Sequence, residues 1–522
     1  WENIVNYTTS FDYHNFDFLL GTSTREQSST TVGGTYQAIP AQNFDNASMN
    51  FSVPNDQRIA FGGEAQPYAL NSYFGRINYD YDSRYLLTVV LRVDGSSRFG
   101  SENQYGTFPA VSVGWVPSSE QFFPDIFVDY LKIRGSYGVN GNDRSLGDFQ
   151  YQSTVSGGRN YVFGNSIYTG ASPNAPANPS LEWEETTQIN AGFDATFLNN
   201  FSLTFDYYHK ETNGMLLQVE IPSYVGASGN PFGNVASLTN DGVELELGYN
   251  KQFEDYGFSV TANGSYNKNE VTDIGENDFL VGSIPLQASA YELTRTTVGQ
   301  PIGSFYGFET QGIFQTQEDV NNYTNSDGDP IQPNAQPGDF RWKDLNGDGQ
   351  ITSADRTFIG NPTAPWTFGI NLSANWKQFD FKMFGQGVYG NEIFQGLRRL
   401  DIASANYTTR ALNRWTGPGT SNSYPRLSDN DPNNNFTNPS DFYLSDGSYF
   451  RIKTLQLGYT LPVEISNDIG IQQARVYVRA ENLATLTGYS GYDPEVGGAS
   501  FGIDRGIYPQ ARSFQVGMNI RF

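Results

Sequence analysis

The sequence contains no cysteine. A disulfide framework, a zinc–thiolate site and a thiol nucleophile are therefore excluded. Histidine is nearly absent too. His14 and His209 are the whole supply, in the tyrosine-rich segments FDYHNF and FDYYHK. Both read as surface positions within or beside turns, away from any outward-facing Ser–His–acid site. Basic residues are few, with 31 Lys and Arg against 55 Asp and Glu, for a formal charge of −24. So acidic a chain repels phosphate backbones and is no nucleic-acid binder. No run approaches the roughly 18 apolar residues of a membrane-crossing helix. The longest candidate, YLLTVVLRVDG (85–95), is broken by Thr88 and Arg92. Helical periodicity is also scarce, and no basic or apolar leader precedes Trp1, so the chain reads as a mature or truncated piece.

What is present points to β-structure. There are 33 Tyr, 38 Phe and 55 Gly, arranged in short alternating runs. In RSFQVGMNIRF (512–522), Phe514, Val516, Met518, Ile520 and Phe522 share one face, and Gln515, Gly517, Asn519 and Arg521 share the other. The segment WTFGINLSANW (366–376) repeats the design and places a tryptophan at each end. Ten residues span about 33 Å of strand, or roughly 25 Å along a membrane normal at ~40° tilt. That is the separation of the two aromatic girdles of an outer-membrane barrel.

Extended over the chain, this pattern predicts about fifteen strands, near 5–13, 16–26, 68–81, 84–95, 106–117, 129–138, 184–197, 201–212, 236–251, 257–270, 365–376, 379–390, 447–461, 472–482 and 511–522. Tight turns are expected at His14-Asn15, Asp82-Ser83, Leu198-Asn199-Asn200, Phe253–Tyr256 and Lys377-Gln378, with modest links at 118–128 and 462–471. Long Gly/Asn/Ser/Asp-rich loops alternate with them, at 27–67, 139–183, 213–235, 271–364, 391–446 and 483–510. Periplasmic turns of outer-membrane barrels are short and extracellular loops long. The fold class is thus an all-β, transmembrane antiparallel barrel, with the 271–364 loop outside and the C-terminus in the periplasm. Fifteen is an odd number where single-chain bacterial barrels have even ones, so either one strand is miscounted or, as the start at Trp1 favours, the closing strands lie upstream.

Several stretches resemble the SusC-like family of TonB-dependent outer-membrane transporters of Bacteroidetes. They include SYFGRINYDYDSRYLLTVVLRVDGSSRFG (72–100), FPAVSVGW (108–115), LKIRGSYGVNGND (131–143) and NPSLEWEETTQINAGFD (178–194). GIFQT (312–316), DLNGDGQITSADR with IGNP (359–362), FGQGVYGNEIF (384–394), SYFRIKTLQLGYTLP (448–462) and ENLATLTGYSGYDPEVG (481–497) follow in order. The resemblance implies a 22-stranded barrel, of which 1–522 is the C-terminal portion, lacking the plug. It also implies uptake of an oligosaccharide or oligopeptide by TonB-driven plug movement, with a SusD-like lipoprotein over the loops. Lipid and lipopolysaccharide would surround the wall in the outer membrane of a Gram-negative bacterium. Terminal Phe522 resembles the signal read by barrel-assembly machinery. The competing reading is a structural barrel subunit whose loops are docking surfaces. No catalytic residue and no organic cofactor are assigned.

Residues 344–355, DLNGDGQITSAD, resemble a calcium loop. In the template, ligands stand at positions 1, 3, 5, 7 and 12, with glycine at 6 for the turn. Here these are Asp344, Asn346, Asp348, the carbonyl of Gln350, Asp355 and Gly349. Ile351 would seat the loop on a hydrophobic base. Position 12 is Asp rather than Glu, and no helix flanks the loop. Three readings stand: a structural Ca2+ that folds a loop of more than 90 residues lacking its own core, an Asx-rich turn without an ion, and, least favoured, an ion that gates substrate. The aromatic runs NYVFGNSIY (160–168) and GSFYGFETQGIF (303–314) read either as stacking surfaces for substrate or as loop packing.

Overall fold

The computed structural model describes residues 1–37, 58–64, 67–282, 291–402, 405–468, 470–496 and 500–522. Parts of the predicted loops 27–67, 271–364, 391–446 and 483–510, Ile469 of the 462–471 link, and Gly497 of the 481–497 stretch lie outside these residues. One sheet of fifteen strands carries the fold, and neighbours in the sheet are neighbours in chain order. The strands are Glu2–Phe11, His14–Gln27, Tyr68–Tyr81, Tyr85–Ser96, Tyr105–Trp115, Val128–Asn142, Glu184–Phe197, Phe201–Gln218, Phe232–Gln252, Tyr256–Asp273, Trp366–Trp376, Phe379–Tyr389, Tyr449–Thr460, Gln473–Thr487 and Ser513–Arg521. All fifteen predicted strands are found.

The turns follow from residues that tolerate left-handed backbone. Asp82 and Ser83 have φ of 50° and 56°, Leu198 and Asn199 52° and 58°, and Lys377 50°. One prediction was displaced. The first turn is Asp12-Tyr13, with Asp12 at φ 50°, and not His14-Asn15. His14 instead opens the next strand opposite Phe11, and its Nδ1 lies 2.9 Å from the Tyr79 hydroxyl. Asp bonds its own backbone more readily than His and so takes the turn.

Two compact units make up the chain, Trp1–Val113 with Ser136–Gln188 and Thr212–Ala236, and Gly114–Gly135 with Ile189–Glu211 and Ser237–Phe522. In the first, Phe99, Phe108, Leu146, Leu181, Trp183 and Leu216 form a buried cluster at the long-loop end of the strands. Its hairpin Thr30–Tyr36/Arg58–Glu64 extends the loop after the second sheet strand. In the second, three buried clusters lie in the connections 274–365, 390–448 and 488–512.

The sheet itself is not a core. Along Trp366–Trp376 only Gly369 is buried. Trp366 and Trp376 are 47% and 60% exposed, and Phe368 is exposed between them. Leu91, Val113, Leu247 and Val478 repeat this on other strands. Aromatics border the apolar face in two rows. Tyr256, Trp376, Phe379 and Tyr459 are register partners at one end, with ring centroids 6.1 Å (Trp376–Phe379) and 4.9 Å (Phe379–Tyr459) apart. At the other end Tyr266, Trp366 and Tyr389 align, Tyr266 and Trp366 at 4.8 Å. An apolar surface this extensive, left uncovered by its own chain, requires an apolar solvent.

Leu372 lies between the two aromatic rows on the apolar face, and Ser373 on the opposite face. Leu372→Arg should therefore reduce the folded, membrane-assembled fraction, at a cost of about 2–4 kcal/mol near the bilayer midplane. Ser373→Arg should assemble normally. Heat-modifiable electrophoretic mobility of outer-membrane fractions reads both, and equal behaviour would refute the assignment of faces.

Candidate functional site

The face opposite the apolar band carries ion pairs. In the second unit, Arg134 sits between two carboxylates, its Nε 3.1 Å from Asp194 and its Nη1 2.5 Å from Asp206. Arg475 pairs with Asp380 through both Nε (2.7 Å) and Nη2 (2.5 Å). Such two-pronged guanidinium–carboxylate contacts fix orientation as well as charge. These pairs balance charge along the polar face of the sheet. His209 is mid-strand, not beside a turn, because its strand runs on to Gln218. Its Nδ1 is 2.7 Å from Asp241 Oδ1.

The first unit contributes a cavity of about 750 Å3 on its polar face. The segment VDGSSRFG (93–100) supplies Asp94 and Arg98 to the wall. Arg92 donates to Asp94 Oδ2 (2.7 Å) and to the Ser72 hydroxyl (2.9 Å). Arg98 lies over the Tyr68 ring at 4.5 Å and donates to the Asp143 carbonyl and to Asp148 Oδ1, each at 3.1 Å. Asp143 Oδ2 in turn accepts from Ser96 (2.7 Å) and Tyr68 (2.9 Å). No sequence pattern announced this cluster, since its members come from three separate strand ends.

In the second unit the long connections fold on one another. Phe394 packs with Phe305, Tyr443 and Ile503, and the chain at Glu392–Gln395 pairs with both Leu444–Asp446 and Ile503–Asp504. Trp342 is buried with Phe308, Ile313 and Phe340, and its Nε1 donates to the Asn433 carbonyl at 2.9 Å. Asp339 is fully buried and accepts from Arg426 (2.7 and 3.1 Å) and from Asn435 Nδ2 (2.8 Å). Burial pushes the Asp431 carboxyl above the usual range, against the pull of the Phe436, Asn435 and Thr437 amides. The 271–364 loop therefore does have a core, shared with residues 391–446 and 503. That corrects the premise that it needs an ion for want of one. The run 303–314 is packing, since Phe305, Phe308, Ile313 and Phe314 are buried. Of 160–168, Tyr161–Phe163 and Ser166–Tyr168 form an exposed hairpin.

The predicted metal residues lie together in one turn, tied to its own amides. Asp344 accepts from Gly347 (2.8 Å) and Gly349 (2.9 Å), Asn346 Oδ1 from Asp348 (2.9 Å), and Asp348 Oδ1 from Gln350 (2.9 Å). Gln350 itself is exposed. Asp355 points inward, fully buried, accepting from the Leu345 (2.9 Å) and Thr352 (2.7 Å) amides. Gly349 has φ +80°, and a Cβ there would meet Asn325 Cβ at 2.5 Å, so glycine is required twice over. Ile351 packs against the Trp342 cluster. Among the described residues no three His, Cys, Asp or Glu side chains gather as a metal site would.

Because Trp342 ties two connections together, Trp342→Ala should cost about 3–5 kcal/mol of loop stability. The expected result is fast proteolysis within 391–446 with unchanged heat-modifiable mobility of the sheet. Cleavage as slow as in the unsubstituted protein would contradict a shared core.

A family model for the β-barrel of TonB-dependent receptor-like proteins matches residues 2–483. The TonB-dependent receptor P3 of Formosa agariphila is 32% identical over 535 residues, covering 100% of this chain and 52% of that protein. The TonB-dependent receptor SusC of Bacteroides thetaiotaomicron is 29% identical over 539 residues, covering 99% of this chain and 49% of its own length. Among solved structures, the RagAB peptide importer in its open-open state matches with a TM-score of 0.80 and 26% identity, over 100% of this chain and 54% of that one. The chain thus spans about half the length of the relatives it matches. The fifteen-stranded antiparallel sheet, its exposed apolar face and these matches agree, and the chain belongs to the TonB-dependent receptor-like β-barrel family, in its SusC-like group.

Proposed function

We propose that the chain is the barrel portion of an outer-membrane importer of a Gram-negative bacterium, taking up an oligosaccharide or oligopeptide. The observation that carries this is the match to SusC-like receptors along essentially the whole chain. A sheet with one apolar face and one ion-paired polar face supports it, as a wall between lipid and an aqueous passage. Energy comes from TonB-driven movement of a plug outside this sequence. A SusD-like lipoprotein covers the long-loop end, and the packed connections of the second unit give it a stiff surface to rest on. The short turns and Phe522 face the periplasm. The chain itself does no covalent chemistry.

Deleting the gene should abolish uptake of the labelled nutrient, and the intact gene should restore it, with a surface lipoprotein co-purifying. Normal uptake together with loss of another membrane assembly would favour a structural subunit instead. For sidedness, an epitope inserted at Lys377-Gln378 should stay hidden from antibodies on intact cells. Surface labelling there would invert the topology.

The 344–355 turn offers hard oxygen donors on Asp344, Asn346 and Asp348 together with the Gln350 carbonyl, the donor set a structural Ca2+ prefers. Asp355 braces the turn through its amide contacts. Each carboxylate oxygen that accepts one amide keeps a further lone pair for a cation. A chelator should therefore speed proteolysis at this turn in the unsubstituted protein and have no effect on Asp344→Ala/Asp348→Ala. Equal cleavage in all samples would leave an Asx turn without an ion.

A further inference from the structure

The sequence holds four Asn-Gly pairs, at 140–141, 213–214, 263–264 and 346–347. In such a pair the glycine amide can attack the asparagine side-chain carbonyl, because no Cβ on the glycine obstructs the approach. Three of the pairs lie inside sheet strands, Val128–Asn142, Phe201–Gln218 and Tyr256–Asp273. There the ladder holds the backbone extended and commits its amides, so the approach is closed. Asn346-Gly347 differs. It sits exposed on the 344–355 turn, with Gly347 at φ +73° and nothing within 4 Å of where its Cβ would stand. Its contacts are those the attack needs. Asp344 Oδ1 accepts from the Gly347 amide at 2.8 Å, within reach of the proton that nitrogen must lose. Asn346 Oδ1 accepts from the Asp348 amide at 2.9 Å, which polarises the carbonyl and holds the negative charge that develops on its oxygen. Because that oxygen reaches the amide two residues on, the side chain lies over the peptide it would attack. Asn346 Nδ2, the leaving nitrogen, donates to Asp348 Oδ2 at 2.9 Å. All of these groups belong to residues 344–348, so the arrangement draws on nothing elsewhere in the protein.

We infer that Asn346 is a self-modification site, at which the turn converts its own asparagine to aspartate or isoaspartate. The Gly347 nitrogen bonds to Asn346 Cγ while its proton passes to Asp344. The Cγ–Nδ2 bond then breaks, and Nδ2 takes up that proton and leaves as ammonia. A cyclic imide remains, which water opens at either carbonyl. Water is the one further reactant, so the change balances as amide plus water to acid plus ammonia. Each event adds a carboxylate to a turn that already carries Asp344, Asp348 and Asp355. It is a change of the chain in itself, separate from the importer reading and from any molecule transported.

The test is peptide mass spectrometry of the full-length receptor in detergent, incubated in water labelled with heavy oxygen. A chelator is present throughout, so the outcome does not depend on a cation at the turn. The expected result is labelled aspartate and isoaspartate at position 346, with Asn140, Asn213 and Asn263 still amides. Asp344→Asn keeps an acceptor for the Gly347 amide but no base. It should slow the reaction by about a hundredfold, the lower end of what a positioned base contributes. The three strand pairs report in the same spectrum whether that variant stays folded, since they react only where the ladder opens. If they do react, the next comparison decides alone. A free peptide of residues 344–355 has the same pair without the held geometry, and the folded receptor should react faster than it. The inference is overturned if Asn346 keeps its amide, or if Asp344→Asn reacts at the parent rate with the strand pairs intact. A free peptide that reacts as fast as the receptor, or faster, would overturn it too.

Discussion

Backbone pairing in lipid is the constraint on which the structure depends. With no water in the hydrocarbon layer, each unpaired N–H or C=O costs several kcal/mol, so a spanning chain must satisfy every such group itself. Here strands pair with their sequence neighbours, from Glu2–Phe11 through to Ser513–Arg521. With the ladder fixed, period-two alternation assigns each side chain to one of two solvents. Phe368 and Leu372 go to one and Asn371 and Ser373 to the other. The ion pairs of Arg134 and Arg475 follow from the same geometry, because a charge on a strand is affordable only on the wet face.

Beyond the membrane the constraint relaxes and ordinary packing takes over. Water solvates loop backbone, so the connections are free to be long, yet those of the second unit are not loose. They gather aromatics from distant segments, such as Phe305, Phe394 and Phe436, into buried clusters, and they bury polar groups in matched sets, as with Asp339, Arg426 and Asn435. The resulting layer is a folded surface rather than a fringe. In the first unit the strand ends leave a polar cavity whose donors and acceptors are not all satisfied internally.

The sequence made the sheet legible because membrane strands alternate strictly and short turns need particular residues. All fifteen strands appear, several of them longer than the pattern suggested. The strand Phe201–Gln218 continues past Lys210 through Thr212, Asn213 and Gly214, where no lipid enforces alternation and the signal fades. His209 was misplaced for the same reason. The loop core was not legible, because it is assembled from contacts such as Trp342 with Asn433 that span 91 positions of sequence. The calcium-like spacing of 344–355 was legible as a turn, but a spacing rule does not reveal that Asp355 is committed to the Leu345 and Thr352 amides. The cavity around Asp94 was invisible, since an unsatisfied oxygen has no sequence signature.

The central claim is that one face of this sheet meets lipid and the other water. The absence of native cysteine permits a direct measurement, a nitroxide placed singly at each position from 367 to 375 in reconstituted membranes. Collision rates with oxygen, which partitions into lipid, and with a water-soluble nickel chelate are then compared along the strand. The account predicts a period of two, with oxygen contact highest at 368, 370, 372 and 374 and low at the residues between. A flat profile, or chelate contact highest at Phe368 and Leu372, would contradict it.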